Sequence, residues 1–158
     1  MKQLSNFTYD EITIGQTASF SKQVEELDVM LFSALSGDIN PVHLDEAYAA
    51  QTVFGGRIAH GMLTGAVISA ALAMELPGPG TVYLGQSLRF SRPVKLGDRI
   101  TAHLEVSDKR DDKGFVTLTC KVLNQDDKLV ASGEAQVMAP REKITIEYRQ
   151  PPRFGLLE

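Results

Sequence analysis

Beyond residue 98 the chain alternates between apolar and polar positions. Ile100, Ala102, Leu104 and Val106 occupy every second place, and after a polar break the spacing returns at Val116, Leu118, Cys120 and Val122. Side chains of an extended chain point alternately to opposite faces, so this period predicts strands buried on one face. Residues 81–90 and 129–138 are β-like as well, with breaks at 93–98, 109–114 and 125–128. The last break, Gln125-Asp126-Asp127-Lys128, suits a tight hairpin. Gly97-Asp98 and the polar residues 110–113 make the other two antiparallel meander links.

Upstream the period changes. Leu27, Leu31, Ala34 and Leu35 recur at helical spacing from Glu25 onward, with Glu25, Glu26 and Asp28 at the positive end of the dipole. Ser36-Gly37 predicts a left-handed C-cap, and Asp45 is the expected N-cap of a short helix at 46–50. Residues 52–57, with Gly55-Gly56, read as a loop. From His60 to about Glu75 runs a long helix with Met62, Leu63, Ala66, Val67, Ala70 and Met74 on one side and Ile68, Ala71 and Leu72 around it. A helix apolar nearly all round predicts burial, and Pro77-Gly78-Pro79-Gly80 stops it. Residues 17–24 form a first strand, preceded by an extended lead-in anchored by Phe7, Tyr9, Ile12 and Ile14. One long apolar helix needs a large concave surface, which a curved antiparallel sheet supplies. The expected class is α+β, with the sheet wrapped on the helix.

Composition narrows the function classes. The chain of 158 residues is long enough for one domain with its own core. Its net charge of −4 and the absence of any Lys or Arg run point away from nucleic acid and anionic membranes as partners, although local basic clusters could meet a phosphate-bearing ligand. Cys120, the single cysteine, cannot form an internal disulfide and reads as a buried core thiol in a reducing compartment. Residues 1–10 carry no signal or transit pattern, and the apolar run at 62–74 falls short of the roughly 20 residues that span a bilayer. A cytoplasmic protein is expected, and its apolar helix suggests surface hidden in an oligomer.

The chemistry concentrates in Ser36-Gly37-Asp38-Ile39-Asn40-Pro41-Val42-His43-Leu44-Asp45 and in His60-Gly61. On a continuous helix Asp38 and His43 would diverge by about 140°. Pro41 breaks the helix and pushes Asn40 into an extended conformation, so the chain can double back and bring carboxylate and imidazole together. Such a pair can share the two proton movements of an addition or elimination. The alternative is purely structural: Asp38 caps, Asn40 makes an Asx-turn and His43 is a polar loop residue. Gly61, in the first turn of the long helix, offers an unsatisfied N–H to a developing oxyanion, or else serves close packing. His60 reads as a satisfied structural histidine and His103 as a surface residue. Three histidines so scattered make a metal site improbable. Gly78-x-Gly80 is a turn, and Ser69 either lines a pocket or bonds back along its helix.

Three segments then resemble one family. Ser36-Gly37-Asp38-x-Asn40-Pro41-x-His43-x-Asp45, Phe54-x-x-x-Ile58-x-His60-Gly61-Met62-Leu63 and Tyr83-Leu84-Gly85-Gln86-Ser87-Leu88-Arg89-Phe90 look like the MaoC-like (R)-specific enoyl-CoA hydratases, over residues 17–137. The resemblance implies a hot-dog fold and reversible hydration of trans-2-enoyl-CoA to (R)-3-hydroxyacyl-CoA, in fatty-acid metabolism or polyhydroxyalkanoate precursor supply. It implies that Asp38 and His43 hold the water, that the Gly61 N–H binds the thioester oxygen, and that Asn40 supports the site. Ser69 and Leu72 match positions bordering the acyl pocket. Coenzyme A arrives as part of the substrate, with no separate cofactor and no metal. Homodimers joined edge to edge, with the site near the interface, are usual in the family. Residues 1–140 then form one hot-dog domain, and 141–158 extend past the small members as an added strand, an arm across a partner or a disordered tail. Other readings are dehydration of a 3-hydroxyacyl carrier protein, thioester hydrolysis, and a non-catalytic acyl-CoA-binding hot-dog module.

Overall fold

The computed structural model describes residues 2–157. In chain order its elements are β1 (Lys2–Ser5), β2 (Thr17–Gln23), α1 (Glu26–Ser36), α2 (Pro41–Leu44), α3 (Glu46–Ala49), α4 (Gly61–Met74), β3 (Val82–Phe90), β4 (Arg99–Arg110), β5 (Phe115–Leu123), β6 (Leu129–Met138) and β7 (Thr145–Tyr148). Strands β2-β4-β5-β6-β3 form one five-stranded antiparallel sheet in that order. The alternation read from the sequence is what sets its register. Leu104 stands opposite Cys120 and Cys120 opposite Gly133, while Ala102 pairs with Val122 and Val122 with Ala131. Except for half-buried Gly133 these positions are all buried, so the inner face is a continuous apolar surface across the three central strands.

That face holds α4. Leu63, Thr64, Val67, Ile68, Ala71 and Leu72 are buried against it, giving an antiparallel sheet wrapped on one helix, the hot-dog arrangement. Burial is one-sided, however. Met62 is 60% exposed, and Ala66 and Ala73 are exposed too. The expectation of a helix buried all round is therefore corrected for the single chain, because one curled sheet covers only one side of a cylinder.

The close approach of β3 to β6 depends on one residue. A Cβ on Gly133 would stand 1.8 Å from the carbonyl oxygen of Ser87 in β3, where only backbone can give way. Gly133→Ala should therefore cost about 3 kcal/mol, the upper end for overpacking. A urea unfolding midpoint equal to that of the unsubstituted chain would contradict this.

Two predicted boundaries need revision. The lead-in is not merely extended: β1 pairs with β7, Lys2 opposite Tyr148 and Ser5 opposite Thr145, in a separate two-stranded ribbon. The segment after residue 140 thus adds a strand, but not to the main sheet. Tyr9 pins this region down. Its hydroxyl donates to the Asp111 carboxylate, and Lys109 and Arg141 stand 4.3 and 4.6 Å from its ring centre. Burial, then the Asp111 bond, push the Tyr9 phenol up to about 12. No helix among the described residues is long and apolar enough to cross a membrane.

Candidate active site

Helix α1 starts without Ser, Thr, Asp or Asn at its N-cap; instead the Asp28 carboxylate reaches back and accepts from the N–H of Glu25 at 2.8 Å. It ends at Gly37, whose φ of 81° and N–H bond to the Ser33 carbonyl make the expected left-handed cap. The chain then turns through three residues outside any helix or strand, with the Ile39 N–H donating to the Gly37 carbonyl at 3.1 Å. Asp38 Oδ1 accepts from the Asn40 N–H at 3.2 Å, and Asn40 Oδ1 accepts from the Val42 N–H at 3.2 Å. Asn40 is thus the N-cap of α2, with Pro41 at its first position. The structural roles of Asp38 and Asn40 and the convergence of Asp38 with His43 occur together. Asp45 caps α3 in turn, accepting from Tyr48 N–H at 3.1 Å.

Capping and chemistry are compatible because α2 is a single turn that folds the chain back. His43 Nε2 lies 3.7 Å from Asp38 Oδ2, with the histidine side chain 10% exposed and the aspartate 51%. His43 Nδ1 lies 2.8 Å from the Ile58 carbonyl. A carbonyl only accepts, so Nδ1 carries the hydrogen, and in the neutral ring Nε2 presents its lone pair toward the carboxylate. Arg57 buttresses the turn from below: its Nε donates to the His43 carbonyl at 2.7 Å and its guanidinium pairs with Glu26 at 2.8 Å.

Gly61 opens α4, where its N–H has no intrahelical acceptor. A Cβ there would stand 3.2 Å from the Phe90 ring, so the ring flanks an otherwise exposed position. A cavity of about 290 Å³ opens beside it, lined by Phe54, His60, Gly61, Thr64, Phe90 and the loop through Val94. Asp38 and His43 do not line that cavity; His60 does, and its ring stacks on His43 with centroids 3.8 Å apart. Ser69 is half-buried and Leu72 is 1% exposed within the core. Neither lines the cavity at Gly61, nor the apolar cleft of about 370 Å³ that Leu31, Phe32, Leu63 and Ala66 form on the other flank of α4.

His60 is only half satisfied, contrary to expectation. Its Nε2 lies 3.0 Å from the Asp38 carbonyl and 3.1 Å from Ser33 Oγ, while Nδ1 is buried without a partner. Nor are the histidines as scattered as their spacing suggests. Asp38, His43 and His60 bring ligand atoms within 4.8 Å of one another, although His60 Nε2 points a hydrogen at a carbonyl and offers no lone pair there. Ser33, Arg57 and the Ile58 carbonyl escaped the sequence reading. Ser33 alone left a signal: it falls four residues after Val29 on the buried side of α1, where a polar residue needs a partner.

Residues 10–126 match the model of the MaoC like domain. An (R)-specific enoyl-CoA hydratase of Rhodospirillum rubrum is 48% identical over 84% of this chain and 91% of its own length, and one of Aeromonas caviae is 46% identical over 82% and 96%. The unliganded R-hydratase PhaJ1 of Pseudomonas aeruginosa superposes with a TM-score of 0.94 at 53% identity, over 98% of this chain and 99% of that one. The solved Aeromonas caviae hydratase, described as involved in PHA biosynthesis, gives 0.79 over 82% and 98%. The Pseudomonas aeruginosa match thus takes in nearly the whole chain, whereas the Aeromonas caviae one leaves about a fifth of it unmatched. On the family match and these identities, the chain belongs to the MaoC-like family of hot-dog proteins.

Proposed function

We infer that this chain is an (R)-specific enoyl-CoA hydratase, a hydro-lyase that adds water across trans-2-enoyl-CoA to give (R)-3-hydroxyacyl-CoA and runs equally as the dehydratase. The observation that carries the mechanism is the pair of acceptors, His43 Nε2 and Asp38 Oδ2, facing each other at 3.7 Å. That gap is too long for a direct hydrogen bond, yet one water at about 2.8 Å from each atom can donate a hydrogen to both. Its lone pair is then turned outward as a nucleophile. The thioester oxygen takes the Gly61 N–H, which draws electron density from the double bond and makes Cβ electrophilic. Water attacks Cβ and gives up one proton to the pair, and the pair returns that proton to Cα on the same face as the enolate collapses. The charge gathering on the oxygen is stabilised by Gly61 and the positive end of α4.

Asn40 supports the pair by capping α2 and by anchoring the Asp38 carboxylate through its N–H. The acyl chain runs along α4 toward Ser69 and Leu72; it enters at Leu72 only where that closed side chain gives way. As written, the reaction calls for no cofactor besides the coenzyme A of the substrate. The free, buried Cys120 suits the reducing cytoplasm.

The enzyme works as a homodimer in this reading. Strand β3 is a sheet edge whose residues are exposed except for half-buried Leu88, and it carries Val82, Tyr83, Leu84 and Phe90 beside the uncovered stripe of α4. An open apolar edge is a template for pairing, and a second copy would close both surfaces. Sedimentation equilibrium should then return twice the chain mass of 17.3 kDa. The direct test of activity is loss of enoyl-thioester absorbance when purified protein meets crotonyl-CoA. Folded protein inert on short and medium chains alike would overturn the hydratase reading.

A further inference from the structure

The imidazole of His60 has no place in the reaction as described, yet it touches every part of the site. It immediately precedes Gly61, stacks on His43 at 3.8 Å and places Nε2 3.0 Å from the Asp38 carbonyl. We propose that His60 is a positioning residue, fixing the Asp38 carboxylate, the His43 base and the Gly61 N–H relative to one another through one buried ring. This rests on the hydration reading above.

Two features argue that the imidazole does more than fill space. The residue is 3% exposed and its Nδ1 has no hydrogen-bond partner, a condition that disfavours folding. A phenyl ring would pack between Phe32 and His43 without that orphan nitrogen. What the imidazole adds is the Nε2–H, which the acceptor-only Asp38 carbonyl requires on that nitrogen. Asp38 lies between the C-cap of α1 and the start of α2, outside any helix or strand, and its side chain is half exposed. Its carbonyl bond to His60 therefore crosses from this short connecting segment to the rigid start of α4. A catalytic group misplaced by about 1 Å can lose 10²-fold in rate, so such a tether acts on turnover.

The test separates ring from donor. His60→Phe keeps the stack and deletes the Nε2–H; His60→Gln keeps a donor and deletes the ring. On crotonyl-CoA, His60→Phe should lower kcat about 10–100-fold with KM within about threefold, in protein that a thermal melt shows to be folded. His60→Gln should recover part of that kcat. A His60→Phe enzyme with kcat within about twofold of the unsubstituted chain, or a loss confined to KM, would overturn the proposal. Should neither variant fold, nitrogen-15 spectra of the unsubstituted protein decide: His60 must show a protonated Nε2 and a bare Nδ1, and the opposite tautomer overturns the tether. Unsubstituted protein that leaves crotonyl-CoA untouched overturns the hydratase reading instead, and the same spectra still report on the tether.

Discussion

Asp38→Asn should lower kcat for crotonyl-CoA hydration by about 10³–10⁴-fold, the range set by loss of a positioned acid–base group, with KM changed only a few-fold. The substitution keeps size and shape. The remaining carbonyl oxygen can still accept from the Asn40 N–H, now 3.2 Å from Asp38 Oδ1, so α2 stays capped and folded. What disappears is the second acceptor. An amide nitrogen placed where Oδ2 stood would aim its hydrogens toward the His43 lone pair 3.7 Å away. The water then loses one acceptor and faces competition for the other, so its lone pair is no longer turned outward. Because the Asp38 side chain is 51% exposed, its removal should leave the unfolding midpoint nearly unchanged. Steady-state kinetics with crotonyl-CoA and a thermal melt provide the check. An unchanged kcat with a raised KM would mean that Asp38 only helps hold substrate.

Much of this site was legible before the structure because its geometry is local. Pro41 fixes the bend, Asn40 is restrained by the proline after it, and the distance from Asp38 to His43 follows from one helical turn. The four long strands were legible for a related reason: alternation over Ile100–Val106 positions and their partners at Val116–Val122 is a period that helices cannot imitate. Failures came where structure depends on partners remote in sequence or on backbone atoms. Strand β1 has four residues, too few for a period, and holds by pairing across the length of the chain with β7, which the sequence allowed as an added strand but without showing its partner. The reading of His60 as a satisfied structural histidine holds for one nitrogen only: the acceptor of Nε2 is a carbonyl 22 residues away that no side-chain pattern reveals, and the orphan Nδ1 follows from burial among remote neighbours. The all-round apolarity of α4 signals burial, but a single chain meets it on one side and leaves an exposed stripe at Met62, Ala66 and Ala73.

The complementary substitution separates the two nitrogens of His43. In shape, Asn places its amide nitrogen where Nδ1 stands, and Gln places it where Nε2 stands. His43→Asn should therefore preserve the bond to the Ile58 carbonyl, 2.8 Å from Nδ1, and abolish the base. His43→Gln abolishes the base and leaves that buried carbonyl without its donor, an added cost of about 1–3 kcal/mol. Both should lose about 10³–10⁴-fold in kcat, with Gln showing the lower unfolding midpoint. If the carboxylate and imidazole act on one water, they act as a unit, and losses within a unit do not multiply. The Asp38→Asn/His43→Asn double variant should then be no more than about tenfold slower than the slower single variant, since once the water is released little remains for the second change to remove. A double variant whose loss is the product of the two single losses would mean that each group performs a separate step on a separate proton, and the shared-water arrangement would have to be abandoned.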